Sequence, residues 1–324
     1  MRRILRAILL IYAVSTITFF LVRLMPGNIV DRLVLQYMTQ GIPEYEARQM
    51  VASLLGIDFS KPLHEQYIEY LFNLLRGDLG TSYEYMGVPV ASIIMYGLPW
   101  TVFLLSLALT TSFIFGILIG GFIGYREGSK LDRTLTILSM GLQATPNYIV
   151  GILLLYYLAF VYRMFPRKGA YDIGLTPSFT WEFISNVLWH STLPFLAYFI
   201  TSFGIWALNM RASTIRVLGE DYVMAAEARG LRDKRIAITY VARNALLAPL
   251  SLFIISVGYI FGGSVFIESI FTYPGIGWYI THALGTADYP VLQGCFLLIT
   301  ISVIVANSAG DIIYSLLDPR VRVR

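Results

Sequence analysis

Apolar residues run through this chain in long unbroken blocks, not in the short alternating segments that strands require. Six blocks approach or exceed the ~20 residues an α-helix needs to cross a bilayer. They are Ile4–Leu24, Leu98–Tyr125, Thr134–Tyr162, Val187–Met210, Leu246–Phe271 and Val291–Leu317. The pattern predicts an all-α, polytopic membrane protein with six transmembrane helices. The alternating segments of about ten residues that build an outer-membrane barrel do not appear. Prolines at 146, 194 and 249 fall within or beside the blocks; such breaks are tolerated where the freed backbone faces protein or a watery cavity.

Between the first two blocks lies a polar segment of different periodicity. Met50, Val51, Leu54 and Leu55 form one apolar helical face, closed by Gly56. Leu63, Tyr67, Leu71, Leu74 and Leu75 form another, opened by Pro62 and closed by Gly77. Neither is long or apolar enough to span, and both are expected over the membrane surface as a small cap.

Composition agrees with the pattern. The 324 residues are 56% hydrophobic and 14% charged, against about a quarter charged in soluble domains. The net charge of +4 says less than its distribution. With a cytoplasmic N-terminus, sixteen of the 24 Lys and Arg fall on the inner side, as basic residues do in membrane proteins. Both termini are then cytoplasmic, in the plasma membrane. The chain divides into an N-terminal transmembrane helix over 1–25, an extracytoplasmic segment with amphipathic helices over 26–97, and a five-helix core over 98–324. The first helix is expected to be retained, since no small-x-small cleavage site precedes Arg23. The lone Cys295 lies inside the last block, which excludes a disulfide framework and reads as inert packing.

One polar interruption is too long to be a simple reversal. The stretch MAAEARGLRDKR, Met224–Arg235, sits in an inner loop over 211–245. Glu220–Arg229 reads as a short helix with Asp221 at its N-terminal end, as the macrodipole favours. Gly230 fits the left-handed residue that ends a helix, and Asp233 starts the next. Ala225, Ala226 and Ala228 leave a face with little side-chain bulk, ringed by Arg229, Arg232, Lys234 and Arg235. A basic juxtamembrane strip also suits anionic lipid headgroups. A lipid binder interleaves its bases with bulky apolar residues, however, so the alanines favour a docked protein.

The run Glu220-Asp-Tyr-Val-Met-Ala-Ala-Glu-Ala-Arg-Gly230-Leu, with Arg243-Asn-Ala-Leu after it, resembles the EAA loop of ABC-importer permeases, closest to the dipeptide/oligopeptide (peptide/nickel) branch. Arg23-Leu-Met-Pro-Gly27, Arg76-Gly-Asp-Leu-Gly-Thr-Ser82, Leu98-Pro-Trp-Thr101, Tyr273-Pro-Gly-Ile-Gly277, Asp288-Tyr-Pro-Val-Leu-Gln-Gly294 and Leu317-Asp-Pro-Arg-Val-Arg322 resemble that branch in the same order along nearly the whole chain. The chain departs from the general loop pattern at Met224, where glutamate is usual, and at Arg243, where proline is. The large segment after the first helix resembles the first of the two permeases these systems encode.

The resemblance implies half of a translocation pathway for di- or oligopeptides, with oligosaccharides or nickel as alternatives. It implies a coupling helix in which Asp221, Ala225, Ala226, Glu227, Arg229, Gly230 and Arg232 dock on an ATPase. The implied partners are a second homologous permease, two ATPase subunits, an extracytoplasmic solute-binding protein and membrane lipid, with no nucleic acid. No cofactor is expected in this chain, since it carries no G-x-x-x-x-G-K-[ST] phosphate loop; ATP and Mg belong to the partner subunits, and the chain itself is not an enzyme.

Glu268 and Asn209, at the ends of spans, are candidates for the pathway, because ionisable and polar groups in spans face the bundle interior or water. Helix-to-helix hydrogen bonding is the competing role for Glu268 and for Asp311. Arg211 reads as a headgroup or loop anchor. The three histidines lack an i, i+4 partner, so no metal site is expected, and no catalytic motif is present. A stand-alone ion-coupled transporter calls for midplane carboxylates and inverted repeats, which the sequence does not show.

Overall fold

A computed structural model describes residues 2–24, 29–55, 61–260 and 265–317. Gly56, most of Arg23–Gly27 and most of Leu317–Arg322 lie outside them, as do the side chains of Leu54, Leu55 and Asp311. Among the described residues the chain is helical apart from turns, loops and one isolated bridge between Thr81 and Pro89. It is an all-α membrane protein. Among the described residues three helices are long and apolar enough to cross a bilayer, and two bent pairs bring the number to five if each pair is one span. A shorter apolar helix covers Leu5–Leu21.

The elements run α1 (Arg2–Leu24), α2 (Ile29–Thr39), α3 (Glu44–Leu55), α4 (Leu63–Leu75), α5 (Val90–Tyr125), α6 (Lys130–Ala144), α7 (Asn147–Leu154, continued by a π-helical stretch Leu155–Val161) and α8 (Trp181–Leu218). After them come α9 (Asp221–Ala228), α10 (Asp233–Arg235), a π-helical stretch Ile236–Ala242, α11 (Arg243–Ala245), α12 (Leu247–Tyr259), α13 (Val265–Ile270), α14 (Ile276–Thr286) and α15 (Tyr289–Leu317). At 1.5 Å per residue, α5 and α8 each exceed ~50 Å, well beyond a hydrocarbon core of ~30 Å. They therefore extend past the membrane at one end or both.

The chain forms two compact units: Met1–Thr101 with Phe261–Ser269 and Pro274–Ile304, and Val102–Ile260 with Ile270–Tyr273 and Val305–Arg324. In the first, Val90, Ile93 and Ile94 of α5 pack with Ile276, Ile280 and Ala283 of α14 and Val291, Leu292 and Cys295 of α15. Cys295 is fully buried there, the packing role its place in an apolar block suggests. Gly294 lets α15 approach, since a Cβ on it would run into Val90 and Ile94.

Both helices flanking this core begin on a buried carboxyl group. The Asp288 carboxyl accepts from the Ser82 hydroxyl and from the backbone N–H of Tyr83 (3.2 Å), Glu84 (3.2 Å) and Val291 (3.4 Å). It caps α15 and fixes the turn after α4 in one arrangement. The Arg76–Ser82 and Asp288–Gly294 motifs are thus two halves of one joint.

The small helices differ in detail from their sequence pattern. Helix α3 packs through Ala47 and Val51 onto Val34 of α2, and Met50 is exposed. Val51 of the expected face is buried, while Ala47 takes the contact with α2 in place of Met50. Helix α4 begins after Pro62 and ends at a left-handed Gly77, as read from the sequence.

In the second unit α5 and α8 meet along Gly116, Gly120 and Gly124 of α5, spaced i, i+4, i+8. A Cβ on these would collide with Trp206 and Ala207, with the Ala207 carbonyl and Met210, and with Thr214 and the Arg211 carbonyl. Small residues at this spacing let membrane helices pack backbone to backbone. Gly204 of α8 does the same against the Ser139 carbonyl of α6.

The stretch Thr134–Tyr162, expected as one span, is two helices meeting at 91°. Thr145 is extended (φ −83°, ψ 122°), as a residue before proline prefers, and Pro146 opens α7. The helix read as starting at Asp233 does start there and runs into the apolar block that opens at Leu246, bending by 42° between Ala245 and Leu247. Pro249 cannot donate to the Ala245 carbonyl four residues back, which accounts for the bend.

Gly120→Leu forces two backbones apart and is expected to destabilise the subunit by about 3 kcal/mol or more. Gly141→Leu, where a Cβ meets nothing within 4 Å, leaves it unchanged. Melting temperatures of the detergent-solubilised protein compare the two.

Candidate functional site

The polar strip between α8 and α12 is almost wholly helical, interrupted at Gly219–Glu220, Arg229–Arg232 and Leu246. Glu220 is extended at the N-cap position (φ −82°, ψ 142°), with no side-chain cap. Asp221 supplies the first-turn acid. Helix α9 is two turns long, too short to stand alone in water, so it needs a tertiary face. Val223 and Ala226, spaced i, i+3, supply it. They are buried with Ile236 and Val241 of the following π-helical stretch, and Tyr125, Val217, Leu218, Leu231 and Tyr240 pack around them.

The turn that closes the hairpin follows from one residue. Gly230 has φ +69°, a conformation L side chains rarely adopt. Its N–H donates to the Glu227 carbonyl (2.8 Å) and that of Leu231 to the Ala226 carbonyl (3.3 Å). This is a Schellman ending, with Leu231 packed on the cluster that contains Ala226. The helix–glycine–helix form read from the sequence is the form observed.

The faces sort differently from the sequence reading in one place. Asp221, Ala225, Glu227, Arg229, Gly230 and Arg232 are exposed, together with Ala228. Ala226 is 1% exposed. It is a packing residue whose side chain is turned from any partner, because the two-turn helix needs it to close the hairpin. The outward face gains Tyr222 and Met224, both exposed, which the run of alanines drew attention away from. Their offset from Val223 and Ala226 on a helical wheel was the available signal. Burial raises the Tyr222 phenol above its ordinary value, with Glu220 adding to the shift, so it stays neutral and presents a hydroxyl. Among the described residues, Arg229, Arg232, Lys234 and Arg235 form no ion pair.

The hairpin continues into a braced helix. Seven residues before the end of α8, Arg211 makes a two-pronged pair with Asp132 at the start of α6, Nε to Oδ1 at 2.5 Å and Nη2 to Oδ2 at 2.8 Å. Asp132 is buried and also accepts from the Gly128 N–H (3.0 Å) and the Thr136 hydroxyl (3.2 Å). Arg211 is thus an internal tie to the turn that opens α6, which fits its reading as a loop anchor and not as a headgroup anchor. The partners lie 79 residues apart, and nothing local in the sequence joins them.

Glu268 belongs to the first unit and Asn209 to the second. Glu268 is fully buried; its carboxyl accepts from the Thr101 hydroxyl (3.0 Å) and from the N–H groups of Gly277 (2.7 Å) and Trp278 (3.4 Å). Thr101 in turn accepts from the Ile276 N–H at 2.8 Å. Together they satisfy the first turn of α14, and a Cβ at Gly275 would strike both. This is a helix cap in which Gly275 and Gly277 close on the carboxyl, the helix-to-helix hydrogen bonding read as one of the two roles for Glu268. Asn209 donates to the Ile205 carbonyl of its own helix (2.8 Å).

Residues 112–323 match the family model described as the binding-protein-dependent transport system inner membrane component. This chain belongs to that family. Its relatives span its length: the di/tripeptide transport system permease protein of Pseudomonas aeruginosa (strain UCBPP-PA14) is 31% identical, covering 96% of this chain and 94% of its own. The oligopeptide transport system permease protein of Bacillus subtilis (strain 168) is 29% identical, over 99% and 98%. The dipeptide transport system permease protein of Escherichia coli (strain K12) is 28% identical, over 95% and 94%. The protein is therefore a permease component of a binding-protein-dependent transport system, and the resemblance noted in its motifs is that of its family.

The inward and outward faces of α9 make opposite predictions. Ala226→Leu overpacks the hairpin and costs about 1–3 kcal/mol, whereas Ala225→Leu on the exposed face leaves stability within about 0.5 kcal/mol. Thermal unfolding of the two variants in detergent measures the difference.

Proposed function

We propose that this permease forms half of the translocation pathway of an ATP-driven importer of di- and oligopeptides, and that α9 is the helix through which ATP hydrolysis in separate subunits moves it. The observation that carries the reading is the exposed face of α9. It is a rigid, closed hairpin presenting Ala225, Ala228 and Gly230 between Tyr222 and Met224, ringed by four cations. Small residues let a partner's groove close on the backbone, and the two larger apolar side chains anchor it there.

In this reading α1, α5, α6–α7, α8, α10–α12 and α15 are the six spans, and both termini are cytoplasmic, supported by the Lys and Arg bias. A second homologous permease completes the pathway, two ATPase subunits bind ATP and Mg, and a solute-binding protein delivers the substrate. The names of the relatives support peptides over oligosaccharides or nickel. Each nucleotide state biases the pathway only through its different affinity for the two conformations. The required differential contact is the one α9 makes.

Ala225→Trp and Gly230→Val test the docking. Tryptophan lifts the partner from the helix. Valine at a left-handed position costs about 1–2 kcal/mol and reshapes the turn. Peptide uptake into proteoliposomes is expected to fall about tenfold or more, as a loss of ~1.4 kcal/mol in coupling implies, with the amount of subunit in the membrane unchanged. Wild-type uptake in both variants at normal expression refutes the role.

A further inference from the structure

Helix α4 carries more apolar surface than its own fold covers. Tyr67 and Tyr70 pack on α1: the Tyr67 hydroxyl is 2.6 Å from that of Thr16, and the rings of Tyr67 and Tyr70 lie 5.1 and 5.3 Å from Phe19. Phe20 lies 5.4 Å from Tyr67, while Phe19 is fully buried. More than a third of a turn away, Ile68, Phe72 and Leu75 form a second stripe at i, i+4, i+7. They are 50%, 59% and 84% exposed. Glu65, Glu69 and Arg76 border that stripe beyond Phe72, on the side turned from α1, and Glu69 pairs with Lys61 at 2.9 Å.

The level at which α4 meets α1 identifies what covers that stripe. The apolar stretch of α1 covers Leu5–Leu21, and Arg23 follows it. Thr16 lies five residues inside its end, roughly 7 Å deep at 1.5 Å per residue. Amphipathic helices settle about 5–10 Å into the boundary between headgroups and acyl chains. At the same level α1 exposes Ile17 and Leu21, side chains that a spanning helix turns to lipid.

We propose that α4 is inserted in the bilayer leaflet where α1 ends, with Ile68, Phe72 and Leu75 among lipid acyl chains and the Glu65–Glu69 face toward the headgroups. It is then an anchor within the membrane, where its sequence suggested a cap above the surface. Two tyrosines join it to α1, so the segment 29–89 is held to the membrane at a second point besides the spans. The inference rests on the reading of α1 as a span.

Nitroxide labels on single cysteines at 68, 72 and 75, at 65 and 69, and at Ile17 as a reference test it in the assembled transporter in lipid nanodiscs. Cys295 is fully buried, and a sample without the introduced cysteine supplies the background. Power saturation with oxygen and with a water-soluble nickel chelate is expected to give higher oxygen than chelate accessibility at 17, 68, 72 and 75, and the reverse at 65 and 69. A lipid-like label at 17 with chelate-accessible labels at 68, 72 and 75 overturns the inference alone. Exclusion of both probes from the stripe also overturns it, by placing a protein there. Chelate access at 17 overturns the span reading and the inference with it.

Discussion

Four buried side chains, Val223 and Ala226 against Ile236 and Val241, turn a polar interruption between membrane helices into a solid object. An eight-residue helix has no stability of its own, and alanines exposed on a mobile loop offer a partner nothing fixed to grip. Once α9 is packed on the start of the next helix and closed by Gly230, its outward face has one shape. In the proposed reading, a partner bound to it moves α8 and α10 with it, since only short turns join them to the hairpin.

A related constraint governs the rest of the molecule. Helix ends leave N–H groups without partners, and a buried end has no water to supply them. The chain meets this with carboxyl groups: Glu268 of α13 for α14 and, for α15, Asp288, the residue just before it. Both are hydrogen-bonded on several sides, so their burial reflects construction and needs no substrate. A buried acid near a span end is a sound starting hypothesis for function. Here the donors around the two carboxyls include N–H groups of helix termini, the turn N–H groups of Tyr83 and Glu84, and the hydroxyls of Thr101 and Ser82.

What the sequence makes legible is what short-range patterning controls. The apolar blocks, Pro62, the left-handed Gly230 and the helix before it are all local properties of neighbouring residues, and they appear in the structure. Where packing partners are remote, local reading loses its hold. Arg211 reads equally as a headgroup or a loop anchor until Asp132 is brought to it. Met50 looks like core until Ala47 is found to take the contact with α2. Ala226 looks like part of an open alanine surface, since three neighbouring alanines are identical in pattern and only the location of Ile236 and Val241 tells them apart. The right-angle break at Pro146 was marked by the proline, but its size depends on the helices around it.

The same remote contacts give the hairpin its leverage. Along α8, Gly204 touches the α6 backbone, Ala207, Met210 and Thr214 close on the α5 glycines, Arg211 is tied to Asp132, and Val217 and Leu218 reach the hairpin core. Protein interiors packed to this density transmit displacement with little loss. A glycine interface leaves no flexible side chain to absorb a shift, and a two-pronged ion pair resists rotation as well as separation. In the proposed reading, force on α9 therefore reaches α5, α6 and α8 together. A looser bundle, with leucines at 116, 120 and 124, would let the hairpin rock while the spans stayed still, and ATP would be consumed without transport.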